Sequence, residues 1–167
     1  AVPKITGPGN IYVTLAKRLV SSVCAIDMEA GPSEVVVLAD AQADPREVAA
    51  EMLAQAEHNP DSVAILVTPS AELPGRVETV IEEELRLLER AETIRESLAR
   101  FGTIYVVPGL EDAVRLTNVL APEHLSIQVE DPMAVFEHIR NAGAVMLGGG
   151  TPVAVTDYYA GPNHILP

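Results

Sequence analysis

Gln55 and His58 stand three residues apart at the end of the run Asp44-Pro-Arg-Glu-Val-Ala-Ala-Glu-Met-Leu-Ala-Gln-Ala-Glu-His58. Three residues is close to one helical turn, so in a helix the two side chains share a face. An amide oxygen and an imidazole nitrogen placed there can hold one object, and a borderline-soft divalent metal such as zinc accepts that donor pair. The competing reading is a helix-terminal histidine that interacts with the last carbonyls and the helix dipole. Pro122-Glu123-His124-Leu125 sets a carboxylate beside an imidazole, the materials of an acid–base pair. Neighbours in an extended segment point to opposite faces, so both can line one site only where the backbone departs from a regular strand. An exposed glutamate beside a satisfied histidine is the plainer alternative. Asp157-Tyr-Tyr-Ala-Gly-Pro-Asn-His164 adds a further carboxylate and imidazole, in a stretch whose glycine and proline predict a loop. Together Gln55, His58 and Asp157 offer mixed nitrogen and oxygen donors, one short of a four-coordinate shell. Gly148-Gly-Gly150 suits backbone that approaches a ligand closely, whereas His138, on a helix between Glu137 and Ile139, reads as surface or core filling.

The elements that must position these groups follow from periodicity. Asp44 can cap a helix, Pro45 suits its first position, and Glu47 can complete a capping box. Val48, Met52, Leu53 and Ala56 then recur at helical spacing, which predicts a helix to His58 with one buried side. Gly7-Pro-Gly-Asn10 is a turn cluster feeding a helix over Ile11 to Val20. A glycine-rich turn at a helix N-terminus can hold an anion, but this one lacks GxGxxG spacing, and a plain turn fits as well. Val23–Ile26 reads as a short apolar strand in which Cys24 is a small core residue. Ser33–Ala39 is a nearly continuous apolar strand of the kind covered on both faces. Strands are expected at Val63–Thr68, Thr103–Val107, Leu125–Val129 and Ala144–Leu147. Helices are expected from Ser70 in two pieces to Gly102, and over Leu110–Leu120 and Pro132–Arg140. Alternation of this kind predicts a parallel α/β sheet with right-handed crossovers, whose ligands gather at the carboxyl ends of the strands. The turn at Asn59 lies on the opposite, helix-to-strand, connection. It makes sense if two α/β units face each other across a cleft.

The 167 residues fit one domain of ordinary size, and 48% apolar content without low-complexity tracts predicts a folded core. A formal charge of −13, from 24 acids against 11 bases, opposes phosphate backbones and disfavours nucleic acid as a main partner. It leaves room for a dinucleotide, which needs only a few local donors. No apolar run is long enough to span a bilayer. With Cys24 the single cysteine, no internal disulfide can form, and the cytoplasm is the natural compartment.

Five ordered motifs, Gly7-Pro-Gly-Asn10, Ile26-Asp-Met-Glu-Ala-Gly-Pro-Ser-Glu34, Gln55-Ala-Glu-His58, Pro122-Glu-His-Leu125 and Asp157-Tyr-Tyr-Ala-Gly-Pro-Asn-His164, resemble the histidinol dehydrogenase family over essentially the whole chain. The resemblance implies a Rossmann-like, aldehyde-dehydrogenase-like architecture. It also implies oxidation of L-histidinol through histidinal to L-histidine with two NAD and one zinc per site. By position, Gln55, His58 and Asp157 match zinc ligands, Glu123 and His124 the catalytic pair, and Asn10 an NAD contact. Ser33 and His164 match substrate contacts, as do Gln55, His58, His124 and Asp157. Family members are longer, so the chain is expected to be a middle portion. Flanking sequence would bring further NAD contacts, a glutamate, and a fourth zinc ligand, a histidine from the partner subunit of a homodimer. The expected division is residues 1–43 as the end of one Rossmann-like unit and 44–167 as part of a second that carries most of the site.

Two other classes compete. A non-catalytic α/β ligand-binding or assembly module would need none of this chemistry. Metal-free oxidation of the aldehyde-dehydrogenase type would need a reactive thiol, for which Cys24 in an apolar strand is poorly placed.

Overall fold

β3 (Glu34–Ala39) is the strand on which the sheet is centred. Its five apolar residues Val35–Ala39 are all buried, as a strand covered on both faces requires. In this computed structural model, which describes residues 2–7, 10–27 and 33–159 (side chains of 156–158 apart), five parallel strands form one sheet. They are β5 (Gly102–Val106), β4 (Val63–Thr68), β3, β6 (His124–Gln128) and β7 (Ala144–Leu147), in that spatial order. Numbered by their succession along the chain, the order is 3-2-1-4-5, the Rossmann-like arrangement, and it reverses between β3 and β6.

Right-handed crossovers place helices by the direction of travel. From β3 outward to β5 the chain moves one way, so α2 (Pro45–His58), α3 (Leu73–Glu84) and α4 (Ala91–Phe101) share one face. Their Val48, Met52, Leu73, Val77 and Ile94 pack on Val35, Val37 and Leu66. The reverse movement puts α5 (Leu110–Leu120) and the short α6 (Pro132–Phe136) on the other face, over Val36, Leu38, Leu125 and Ile127. Alternation along β6 therefore turns Leu125 and Ile127 to α5, and buried His124, Ser126 and Gln128 to the α2 face. After β7, α7 (Val153–Tyr158) returns to the α2 side, with Val153 packed on that core.

At the N-terminus, β1 (Lys4–Ile5) and β2 (Ala25–Ile26) pair in parallel across α1 (Ile11–Val20). Lys17, mostly buried, bonds the Gly7 carbonyl and the Asp27 carboxylate (2.7 Å), while Asp27 Oδ2 accepts the Gly7 N–H at 2.6 Å. Gly7 has φ of +126°, a conformation glycine alone adopts without strain.

Several expectations shift. β3, on the N-terminal side of the boundary expected after residue 43, is hydrogen-bonded to β4 and β6 on the other side, so that boundary would cut the sheet. β2 is two residues, not four, and Cys24 precedes it half-buried, its Sγ 3.3 Å from the Val2 carbonyl. α6 ends at Phe136, four residues short of the expected Arg140. Gly102 stops α4 as foreseen, but in extended backbone (φ −69°), because β5 begins at once; a Cβ there would lie 2.5 Å from the Leu98 carbonyl oxygen.

Candidate functional site

The amino edge of the sheet, not the carboxyl edge, gathers Ser33, Glu123, His124 and the Gln55–His58 turn from among the expected residues. Ser33 leads into β3, Glu123 and His124 open β6, and the ladder sets Val35 against His124. Glu123 Oε2 accepts the Ser33 hydroxyl at 2.9 Å and the Glu34 N–H at 3.0 Å. In return Glu34 Oε1 accepts the Glu123 N–H at 3.1 Å. The His124 Nδ1–H donates to the Glu34 carbonyl at 3.2 Å, and Nδ1 lies 3.5 Å from Glu123 Oε2. A carbonyl only accepts, so this contact places the proton on Nδ1 and leaves Nε2 with its lone pair. The question of adjacent residues facing apart is resolved locally. Ala121, in the left-handed region at φ +50°, ends α5. Glu123 follows in irregular backbone, and its carboxylate reaches across the end of β3 to the neighbourhood of the imidazole. Among the described residues Glu123 Oε1 and His124 Nε2 have no hydrogen-bond partner.

α2 brings the second group to the same edge. It leaves the carboxyl end of β3 and returns to the amino end of β4, so its last turn lies where Ser33 lies, on the face to which His124 turns. Asp44 and Pro45 start the helix as expected, with the Arg46 N–H donating to Asp44 Oδ1 at 2.8 Å. His58 is exposed and its Nδ1–H donates to the Ala54 carbonyl at 2.9 Å. That bond serves the last carbonyls of the helix and also fixes the tautomer, leaving Nε2 outward as a ligand nitrogen. Gln55 is buried (5% exposed), and its Nε2 has no partner. A half-turn of the amide exchanges nitrogen and oxygen, so the same buried position can offer an oxygen ligand. The donor chemistry of Gln55 and His58 therefore suits zinc. Among the described residues no three His, Cys, Asp or Glu side chains cluster as a metal site.

Asp157 lies within α7 rather than in a loop: the helix starts after Pro152, and the glycine and proline that argued against it come later, at 161 and 162. Its side chain, and all of His164, lie outside the described residues. The placement of α7 against α2 is nevertheless defined. Glu51, a buried acid on the Gln55 side of α2, accepts the Val153 N–H at 3.2 and 3.3 Å, capping α7 from another helix. One turn earlier, a Cβ on Gly149 would collide with the Glu47 carboxylate. The close approach foreseen for Gly148–Gly150 is thus, at Gly149, to this protein's own α2.

Burial raises the Glu51 pKa, and the Val153 N–H lowers it by less. With the folded-state value above the unfolded one, between the two values the folded protein keeps a proton the unfolded chain has lost. This contribution to stability is full below the ordinary 4.5 and is lost as pH rises through the folded-state value. Glu51→Gln keeps an acceptor for Val153 and removes the buried charge. It should therefore raise the melting temperature at pH 7, with the gain vanishing below pH ~4.3, where a carboxyl is neutral anyway. Melts at pH 4 and 7 check this; a lower melting temperature than wild type at pH 7 would contradict it.

Asn10 caps α1, its Oδ1 accepting the Tyr12 and Val13 N–H groups at 3.1 and 3.3 Å. Two first-turn amides that an anion could use, those of Tyr12 and Val13, are thus taken by the chain itself. At the carboxyl edge, where the strand order reverses, there is a cavity of about 840 Å³ lined in part by Asp40, Glu111, Glu130 and Asp131. Arg115 and His138 line it as well, but the four carboxylates outnumber them and disfavour a pyrophosphate, and none of the expected site residues lines it. Glu34 and Glu51 were not foreseen as site residues. Glu51 falls one turn before Gln55 and three residues after Val48, so the helix pattern held a signal for it.

The fold is a Rossmann-like parallel α/β sheet, with Glu123 and His124 side by side at its amino edge. The chain belongs to the histidinol dehydrogenase family, whose family model matches residues 1–167. It is 53% identical to a histidinol dehydrogenase of Synechococcus sp. over 99% of this chain and 39% of that protein. It is also 53% identical to the one from Halalkalibacterium halodurans, over 100% of this chain and 39% of that protein. The crystal structure of histidinol dehydrogenase from Elizabethkingia anophelis superposes with a TM-score of 0.94 at 40% identity, over 99% of this chain and 38% of that one. Gamma-glutamyl phosphate reductase from Thermotoga maritima shares the fold alone, with a TM-score of 0.55 and 16% identity over 89% of this chain and 42% of that one. The chain thus spans about two fifths of the length of the relatives it matches. Among the described residues no helix is long and apolar enough to cross a membrane.

Proposed function

We propose that the chain carries the catalytic pair and most of the metal ligands of an NAD- and zinc-dependent enzyme that oxidises L-histidinol through histidinal to L-histidine. The observation that carries this reading is the convergence of Ser33, Glu123, His124 and the Gln55–His58 turn on one sheet edge. Gln55, His58 and Asp157 would hold zinc. The Glu51–Val153 bond holds the start of α7 against α2 one turn from Gln55, and Asp157 follows four residues later in that helix, which supports this set. When bound, zinc supplies orientation and polarisation of the substrate, and NAD the acceptor for each of two hydrides.

The chain's own residues move the protons. His124 presents Nε2 to the hydroxyl of histidinol and takes its proton as hydride leaves the carbinol carbon. Glu123 presents Oε1 to a water and takes its proton as the water adds to the aldehyde carbon, giving the hydrate that loses the second hydride. Ser33 and His164 contact the substrate, and the Asn10 amide nitrogen, free of the capping role of Oδ1, contacts NAD. The amino edge faces a cleft completed by a second α/β unit, in a cytoplasmic homodimer whose partner subunit adds a zinc ligand.

The experiment is stoichiometric: at the full length of its relatives, the zinc-loaded enzyme should reduce two NAD per histidinol and lose that activity to a chelator. One NAD per histidinol, with the aldehyde accumulating, would refute the four-electron reading.

A further inference from the structure

We infer that Glu34 is a positioning residue that locks the Glu123–His124 pair to β3; this rests on the catalytic reading above. Three groups of this one residue meet the pair. Its N–H donates to Glu123 Oε2 (3.0 Å), its carbonyl accepts from His124 Nδ1 (3.2 Å), and its side-chain Oε1 accepts the Glu123 N–H (3.1 Å). The first two are backbone contacts and survive any substitution that leaves the strand in register. The third depends on the side chain, and it acts at a vulnerable point. Regular β3–β6 pairing begins at Val35–His124, so Glu123 lies one residue outside the ladder. Its backbone is tied to β3 by the Glu34 carboxylate.

Without that tie the Glu123 N–H loses its acceptor, and on the β3 side the residue carrying the proposed base is held only by its side-chain bonds to Ser33 and Glu34, while its carbonyl still accepts the Ala144 N–H of β7 at 2.9 Å. Glu123 Oε1 and His124 Nε2 must both be aimed at one carbon, and a displacement of ~1 Å in a reacting group can cost on the order of a hundredfold in rate. Glu34 touches neither reacting atom in this arrangement. Its effect should therefore fall on the turnover of bound substrate rather than on substrate affinity.

The test uses two substitutions of matched size in the full-length enzyme, with histidinal as substrate. Glu34→Gln keeps an oxygen acceptor for the Glu123 N–H, whereas Glu34→Met fills the same space without one. The expected result is a kcat within about threefold of wild type for Glu34→Gln and about tenfold to a hundredfold lower for Glu34→Met, with KM for histidinal within about twofold in both. Equal kcat values for the two variants would overturn the inference, as would a loss carried wholly in KM. Hydrogen exchange at the Glu123 amide of the unaltered protein gives a check that needs no variant. Slow exchange supports the tie, and exchange at the rate of an open loop overturns it. Glu123→Gln, assayed alongside, keeps the two claims separate: if it oxidises histidinal normally, the catalytic reading itself fails, whatever the Glu34 variants do.

Discussion

Glu123→Gln, in the enzyme at the full length of its relatives, is expected to oxidise histidinol to the aldehyde at close to the normal rate and then to stall. The glutamine keeps the shape of the side chain and an oxygen for the Ser33 hydroxyl and the Glu34 N–H, the two donors that hold Oε2. What disappears is a group able to take a proton from water. General-base catalysis contributes about 10²–10⁴-fold, and the aldehyde step should slow by that amount. The first hydride transfer relies on His124, whose Nδ1–H remains committed to the Glu34 carbonyl, so it should change by less than about tenfold. Rapid-mixing measurements of NADH with histidinol and with histidinal separate the two. Equal slowing of both half-reactions would remove the role given to Glu123.

His58→Ala should cost zinc. Structural four-ligand sites bind zinc with an apparent free energy of about 10–16 kcal/mol, so one ligand of four accounts for roughly 3 kcal/mol, or about a hundredfold in affinity. Competition against a chromophoric chelator reads this directly. Thermal unfolding reads it again: zinc at ~100 times its dissociation constant stabilises by ~2.7 kcal/mol, and a hundredfold weaker site leaves only ~0.4 kcal/mol. The imidazole is exposed and its one bond among the described residues is to the carbonyl a turn below, so the metal-free protein should lose little stability. Unchanged zinc affinity in His58→Ala would end its assignment as a ligand. A parent enzyme that binds no zinc would favour the non-catalytic α/β module.

Much of the scaffold was legible because its signals are local. Val63–Thr68, Leu110–Leu120 and Ala144–Leu147 fall where periodicity puts them, and Asp44 caps α2 through the contact its position foretold. The errors arose where a local signal was borrowed from a neighbour. Asp157 was read with the glycine and proline that follow it, and not with Pro152 and the valines before it, which start α7. Glu34 was invisible for a different reason. Its partners lie 89 and 90 residues away, and no pattern within β3 announces which strand will be its neighbour. The general rule for parallel sheets points to the carboxyl ends of the strands and the cavity there, and the turn at Asn59 already stood outside that rule. Only the odd placement of His58, at a helix-to-strand connection, hinted at the opposite edge.

The ladder between β3 and β6 spans the whole of α2 to α5 in the chain, so it closes the longest loop in the sheet. Such contacts are entropically the dearest to form and come late when a chain folds. Ser33, Glu34, Glu123 and His124 meet only across that ladder. A nascent or partly unfolded molecule, however much helix it holds, therefore has no assembled proton acceptors. On the proposed reading, activity arises only with the closure of this ladder, and reactivity would itself be a certificate of completed folding.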